Sequence, residues 1–221
     1  MYRKKEFNLD SSYNSHLYTG IIGVFMRYCH RNLEKFKSEE VYSKILEIGA
    51  GTAPHFPYIK HQFDHYYVAE TSDFALNHLK NEGIENLIKY NGKILPFKNS
   101  FFDRIIISHV LEHINKPEEF LVEIMRTLKK GGVLSISLPT DPGLLWRSSR
   151  NMIKLFVLNR TQKLSNIEYD YINSTEHINS IFNLRNIIKY NYRNNIQETF
   201  LPFRIRLPDL NLFYNVHITK L

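Results

Sequence analysis

The chain has 221 residues, which suits one large domain, and 43% of them are hydrophobic, so a full core can form without a disulfide or a structural metal. Lys and Arg outnumber Asp and Glu by 29 to 22, a mild excess that favours anionic partners but is mostly solvated surface. Neither a dense arginine cluster nor an aromatic RNA-binding motif accompanies it, so nucleic-acid binding is disfavoured. Cys29 is the only cysteine, which excludes an intrachain disulfide and suits a reducing compartment.

The N-terminal residues predict neither a signal peptide nor a membrane span. The basic residues at the start run into polar ones, and the apolar stretch from Ile21 to Met26 is too short to cross a bilayer. We therefore expect a soluble, cytoplasmic protein without a transmembrane segment.

Short apolar runs alternate with helical patterns along most of the chain, which is typical of a parallel sheet with crossover helices. An amphipathic helix over 17–36 precedes the first strand. Strands are predicted over 44–49, 65–70, 86–90, 103–109, 133–138, 198–204 and 212–219. Further helices are predicted over 73–82, from Pro117 to the stop at Lys129-Lys130-Gly131, over 143–159 and over about 174–190. The fold class is α/β: a Rossmann-like, seven-stranded, mostly parallel sheet with helices on both faces and an antiparallel C-terminal hairpin.

A glycine-rich turn over 47–52, Glu-Ile-Gly-Ala-Gly-Thr, ends the first strand, and a helix with Pro54 in its first turn should follow. Glycines at such a turn let the backbone come close to a nucleotide. Glu70 lies at the tip of the second strand, 19 residues after Gly51, where a carboxylate can accept both hydroxyls of a ribose. The NAD fingerprint requires a third glycine where Pro54 stands, so a dehydrogenase is disfavoured. The alternative is a simple turn beside a surface carboxylate.

Two stretches, LEIGAGTA over 46–53 and the block over 91–139 containing LPF, FD and HVLEH, resemble the class I S-adenosylmethionine-dependent methyltransferases. The resemblance covers roughly residues 40–140 and points to a subgroup with small-molecule and quinone methyltransferases. Ala53 stands where many members have a third glycine. On this basis 1–221 is one methyltransferase domain, divided into an N-terminal helical cap (1–39), a cofactor-binding core (40–139), an acceptor-side insertion (140–173) and a final helix with strands (174–221).

The resemblance implies S-adenosylmethionine as cofactor. Its implied contacts are Glu47, Gly49, Ala50, Gly51, Glu70, Thr71, Asn91, Gly92, Ser108, His109 and Val110. Within this set, Glu47 would support the glycine loop, Glu70 would hold the ribose and Thr71 would lie beside the adenine. Asn91 replaces an aspartate that accepts from the adenine amino group in many relatives, and its amide oxygen can accept the same bond without charge.

Two histidines are candidate general bases. His113 matches a position that the subgroup often fills with histidine, and His177 precedes a predicted acceptor-facing helix; each is also explained as a structural hydrogen-bonding residue. The segment 109–113, HVLEH, matches the H-x-x-E-H pattern of a zinc protease group, but those ligands sit on a helix and this segment follows a strand. We therefore predict no metal site.

The acceptor side is expected in the N-terminal helix and the segment after the fifth strand. The predicted helix over 143–159 would carry Arg147, Arg150 and Lys154 on one face, either as solvated surface, as a grip for an anionic substrate or as a contact with an anionic membrane surface. The residues 169–171, Tyr-Asp-Tyr, would line the acceptor pocket or belong to a polar loop.

The sequence thus predicts a methyltransferase acting on a small molecule, with an O- or N-position of a sugar or nucleotide-linked sugar of surface polysaccharides as the leading acceptor. The alternatives are C-methylation of a quinone precursor and a non-catalytic S-adenosylmethionine-binding module, which Ala53 and Asn91 leave open. RNA methylation is disfavoured because SHVL over 108–111 is not a proline-rich catalytic motif. The sequence sets neither the methylated atom nor the oligomeric state.

Overall fold

The computed structural model describes residues 20–36, 41–52, 55–155 and 165–221. Its strands are β1 Tyr42–Ile48, β2 Phe63–Glu70, β3 Asn86–Lys89, β4 Phe102–Ser108, β5 Leu128–Pro139, β6 Ile196–Leu201 and β7 Phe213–Thr219. They form one sheet in the order β3-β2-β1-β4-β5-β7-β6. The first five strands are parallel, and β7 runs antiparallel between β5 and β6. The predicted fold class, including the C-terminal hairpin, is confirmed.

Six α-helices surround this sheet in the described part of the chain. They are α1 Gly20–Leu33, α2 Asp73–Asn81, α3 Pro117–Thr127, α4 Leu144–Ile153, α5 Asn166–Glu176 and α6 Ile181–Tyr192. The N-terminal helix predicted over 17–36 corresponds to α1, but it ends at Leu33, and residues 17–19 lie outside the described part. None of these helices is long and apolar enough to cross a membrane.

The two faces of the sheet have different chemistry because alternate strand residues point to opposite sides. On β5, Leu134 and Ile136 are fully buried in the large apolar cluster to which α3 and α6 contribute. The intervening Ser135 and Ser137 face the other side, where the Sγ of Cys29 on α1 lies 2.9 Å from the Ser137 Oγ. The face under α1 is therefore lined in part by polar groups.

A buried ion pair lies on this polar face. The guanidinium of Arg104 on β4 donates to both carboxylate oxygens of Glu34, at 2.6 and 3.0 Å, and neither side chain is exposed to solvent. The Nε2 of His55 lies 2.7 Å from the same carboxylate, and the Phe36 ring stacks on the guanidinium at 4.7 Å. Buried charges are tolerated only when they are paired and hydrogen-bonded, so this contact fixes the end of α1 against β4.

The prediction of a helix after the glycine turn is wrong, because the described residues there do not form an α-helix. Between β1 and β2 these residues form only a 3-10 turn, Phe56–Tyr58, and Pro54 lies outside the described part. Pro57 in this turn lacks a backbone N–H and cannot donate a helical hydrogen bond. The chain is already extended at Ile59.

The end of α3 also differs from the prediction. The helix ends at Thr127, and the residues from Lys129 to Gly131 belong to β5 rather than to a helix stop. The Phe101 N–H donates to the Thr127 carbonyl at 2.7 Å, and the Lys129 ammonium pairs with Asp103 at 2.6 Å. Pairing with β4 therefore overrides the local helix-ending signal.

The predicted helix over about 174–190 is two helices. Ser165 forms a capping box with Glu168 and starts α5, and Ser180 caps the N-terminus of α6. The alternative prediction of a polar loop over 169–171 is wrong, because these residues lie on α5 and Tyr169 is buried.

Replacing Glu34 by Gln should lower the free energy of unfolding at pH 7 by about 3 to 5 kcal/mol, because Arg104 would remain buried without a counter-charge. Burial alone would raise the pKa of Glu34, but hydrogen bonds from His55 and Arg104 lower it well below its usual value. The carboxylate therefore stabilises the fold fully above about pH 4.5, its unfolded-state range, and this contribution is lost as the pH falls further.

Urea unfolding followed by circular dichroism at pH 7, 5 and 4 measures both effects. Stability of the parent protein should fall from pH 5 to pH 4, and the Glu34→Gln variant should show a shallower fall. Glu119→Gln is the matched control, since its pair with Lys116 is solvent-exposed and should contribute less than about 1 kcal/mol. Equal losses in the two variants would contradict the assignment.

Candidate active site

The predicted cofactor residues lie at the carboxyl ends of four neighbouring strands. β3, β2, β1 and β4 are adjacent and parallel, so the turns that follow Lys89, Glu70, Ile48 and Ser108 lie at one edge of the sheet. In open parallel sheets, ligands bind in the crevice beyond the carboxyl ends of the strands.

The glycine turn requires both of its glycines. Gly49 and Gly51 have φ values of 69° and 56°, in the left-handed region that favours glycine. A Cβ added at Gly49 would lie 2.6 Å from a methyl carbon of Val110, the second residue after β4. The turn after β1 is therefore pressed directly against the turn after β4.

Glu47 holds the chain that leaves this turn. Its buried carboxylate accepts the backbone N–H of His55 at 2.9 and 3.0 Å and the hydroxyl of Tyr66. Burial raises the pKa of Glu47, and it raises the pKa of the Tyr66 hydroxyl as well. Glu47 thus ties the residues beyond the glycine turn to β1 and β2.

The carboxylate of Glu70 is oriented by backbone groups. Its Oε1 accepts the N–H groups of Thr71 and Ser72 at 2.6 and 3.1 Å, and its Oε2 accepts the Gly51 N–H at 3.0 Å. A carboxylate oxygen can accept two hydrogen bonds, so Oε2 can take a further donor such as a ribose hydroxyl.

Three further predicted cofactor residues lie in the turns after β2 and β3: Thr71, Asn91 and Gly92. Gly92 has a φ of 75°, and a Cβ there would lie 3.6 Å from the Thr71 side chain, so the two residues are neighbours. The Asn91 side-chain oxygen accepts the N–H groups of Lys93 and Ile94, each at 2.9 Å. The oxygen that the resemblance assigns to the adenine amino group is thus engaged in its own turn.

The turn after β4 holds a histidine that faces a buried carboxylate. His109 has a φ of 56°, and its Nδ1 lies 3.6 Å from the buried Glu112 carboxylate. Burial alone would lower the pKa of His109, but Cys29 and Glu112 raise it to about 10. A pKa raised in this way disfavours His109 as a general base at neutral pH.

The two candidate bases are brought together. The ring centroids of His113 and His177 lie 5.1 Å apart at an interplanar angle of 76°. The His177 Nδ1 lies 2.8 Å from a carboxylate oxygen of Asp141, and the His113 Nδ1 lies 2.7 Å from the backbone carbonyl of Glu176. These contacts leave both Nε2 atoms for other partners.

Three polar side chains near His113 and His177 were not predicted from the sequence: the carboxylates of Glu112 and Asp141 and the amide of Asn179. Glu112 lies between the histidines of the HVLEH segment, and Asp141 follows the fifth strand by two residues. The Asn179 side chain donates to the carbonyl of Ile114 at 2.6 Å and so attaches the chain after α5 to the turn after β4. The position of Asp141 just beyond a strand end was the one available signal.

The basic face expected on the acceptor side is partly neutralised. Arg150 on α4 pairs with Asp141 at 3.2 Å, and Lys154 pairs with Asp170, whereas Arg147 is exposed. Residues 156–159, the last part of the predicted helix, lie outside the described part of the chain.

Comparisons with known proteins agree with this arrangement. Residues 46–136 match a family profile described as a methyltransferase domain. An uncharacterized protein of Methanocaldococcus jannaschii is 30% identical over 158 residues, which cover 69% of this chain and 66% of that protein. The ubiquinone/menaquinone biosynthesis C-methyltransferase of Vibrio vulnificus is 32% identical over 113 residues, covering 45% of this chain and 44% of its own length. The chain thus spans less than two thirds of these relatives.

The fold extends the similarity to almost the whole chain. The structure of the plantazolicin methyltransferase BpumL, solved in complex with S-adenosylhomocysteine, is 17% identical and superposes with a TM-score of 0.66 over 96% of this chain and 92% of that one. Residues 46–136 therefore match a methyltransferase domain, and almost the whole chain shares the fold of a methyltransferase that was solved with S-adenosylhomocysteine.

Proposed function

We propose that this protein is an enzyme that transfers a methyl group from S-adenosylmethionine to a small-molecule acceptor. One observation carries the proposal: the glycine turn, the Glu70 carboxylate and the histidine pair His113 and His177 lie in the turns and segments at one edge of the sheet. Parallel sheets of this kind bind ligands at that edge.

The residues present fit the cofactor. Gly49 and Gly51 expose backbone without a side chain, and the Glu70 Oε2 beside Gly51 can accept from a ribose hydroxyl. Bound S-adenosylmethionine supplies a sulfonium methyl group that is already activated for transfer. The protein then has to align an acceptor with that methyl group and exclude water.

The pairing of His177 with Asp141 supports an acceptor that reacts through oxygen or nitrogen. Because the Nδ1 of His177 faces Asp141, its Nε2 can accept a hydrogen bond or a proton from an acceptor hydroxyl. The acceptor oxygen would then bond to the methyl carbon, while the carbon–sulfur bond breaks and its electron pair stays on sulfur. A sugar or nucleotide-linked sugar is the acceptor that we propose first, with Arg147 available to an anionic group.

A quinone precursor is the second candidate acceptor. The Vibrio relative is named for C-methylation in quinone biosynthesis, and α4 exposes the apolar side chains of Leu144 and Met152 beside the acceptor segment. These side chains suit an apolar acceptor or peripheral contact with a lipid surface.

Glu70→Ala should weaken S-adenosylmethionine binding by about 10- to 100-fold, because a charge-assisted hydrogen bond contributes about 1.5 to 3 kcal/mol. Calorimetric titration of the purified chain measures the change. Asp73→Ala is the matched control, since this carboxylate is exposed and pairs only with Lys89 among the described residues. NAD should not bind either protein. If the parent chain binds no S-adenosylmethionine, the proposed activity is wrong and an interaction module takes its place.

Gly49→Ala should weaken cofactor binding at least about tenfold, because the new methyl group meets Val110 and displaces one of the two turns. Gly83→Ala is the control, since Gly83 has a similar positive φ of 85° but nothing within 4 Å of an added Cβ. Both variants should lose about 1 to 2 kcal/mol of stability from the left-handed backbone. Only Gly49→Ala should lose cofactor affinity, and an equal effect in both would contradict the role of the close approach.

Incubation of the chain with radiolabelled S-adenosylmethionine and two acceptor panels tests the acceptor class. Label should appear on nucleotide sugars in the absence of detergent. Label confined to quinone precursors, and only with detergent or lipid present, would instead select the C-methylation alternative.

A further inference from the structure

We propose that Glu112, His113 and His177 form a binding site for one first-row divalent transition metal ion of the Zn²⁺ type. One ligand atom from each residue lies within 4.8 Å of the other two. The set of two imidazole nitrogens and one carboxylate oxygen is a common zinc ligand set that leaves a coordination position open.

The histidines are oriented as metal ligands usually are. A metal-bound histidine nearly always donates its other ring N–H to a carboxylate or a carbonyl, which fixes the tautomer and the ring orientation. His177 has this contact through Nδ1 to Asp141, and His113 has it through Nδ1 to the Glu176 carbonyl. Both Nε2 atoms are therefore the coordinating nitrogens.

The carboxylate provides an independent indication. Glu112 is 2% exposed, and its Oε2 is buried without a hydrogen-bond partner among the described residues. A buried carboxylate oxygen without a partner is unfavourable, and a bound cation would satisfy it. The His113 Nε2 already lies 3.9 Å from the other oxygen of this carboxylate.

The approach needed for coordination is small. Ligand atoms around a tetrahedral zinc ion lie about 3.3 Å apart, given bond lengths of about 2.0 to 2.1 Å. An approach of at most about 1.5 Å is therefore needed for atoms that lie within 4.8 Å of one another. Small adjustments of the His113 and His177 side chains that keep their Nδ1 contacts can provide this movement.

The site differs from the zinc protease pattern that the HVLEH segment suggests. Of that pattern, Glu112 and His113 are used, and the third ligand comes from His177, which α5 and the contacts of Asn179 bring to the turn. His109 is not one of the three ligands, and its Nδ1 lies 3.6 Å from the Glu112 carboxylate.

The role of the ion rests on the proposed function, whereas its binding does not. An ion held beside the turn after β4 would bind an acceptor oxygen and lower the pKa of an acceptor hydroxyl. Under this assignment His113 and His177 are ligands rather than proton acceptors.

The test uses the full chain without an affinity tag, stripped with a chelator and titrated with Co²⁺ and Zn²⁺ in the absence of S-adenosylmethionine. We expect one ion per chain, with visible Co²⁺ absorption bands that Zn²⁺ removes. His113→Asn and His177→Asn should abolish the bands, and Asp141→Asn should weaken binding by about 10- to 100-fold through the orientation of His177. His65→Asn, which changes an exposed histidine on β2, should bind like the parent chain.

Circular dichroism and S-adenosylmethionine titration of each variant distinguish loss of the ion site from loss of the fold. Absence of stoichiometric binding by the folded parent chain, or bands that persist in both His→Asn variants, would overturn the proposal. Binding of Mg²⁺ in preference to Zn²⁺ would also overturn it, because two imidazoles favour the transition metal. Failure of cofactor binding with an intact Co²⁺ site would refute the proposed function alone.

Discussion

The close approach of Gly49 to Val110 is the constraint on which the rest of the site depends. No side chain fits at Gly49, so the turn after β1 and the turn after β4 are in direct contact. The turn after β4 continues into Glu112 and His113, and Asn179 attaches the segment that carries His177 to the same turn. The glycine turn and the histidine cluster are therefore joined through the turn after β4.

The glycine turn is supported in an unusual way, because only a 3-10 turn follows it in the described connection to β2. A chain of polar contacts links it to the sheet instead. The Glu47 carboxylate binds the His55 backbone, the His55 ring binds Glu34, and Glu34 pairs with Arg104 on β4. Each group in this chain is buried and partnered, so the chain positions the turn without a long helix.

This polar chain also explains the unequal faces of the sheet. The face toward α3 and α6 is packed with apolar side chains, where burial of surface provides most of the stabilisation. The face toward α1 carries Arg104, Ser135 and His217, and His217 is kept neutral because burial lowers its pKa to about 3. Hydrogen bonds to specific partners, such as the Ser135 Oγ, orient the groups on this face.

The sequence by itself determined the α/β class, the seven strands and the positions of the glycine turn and Glu70, because alternating apolar periodicity and glycine placement are local signals. It did not determine where helices end when a neighbouring strand competes, as at Lys129, where pairing with β4 prevails. Nor could it show that His113, His177 and Asp141 meet, since they are separated by 28 or more residues and only tertiary packing brings them together. The sequence also could not show how the connection after the glycine turn is held, since its support comes from Glu34 and Arg104, which are distant in sequence and joined only in the fold.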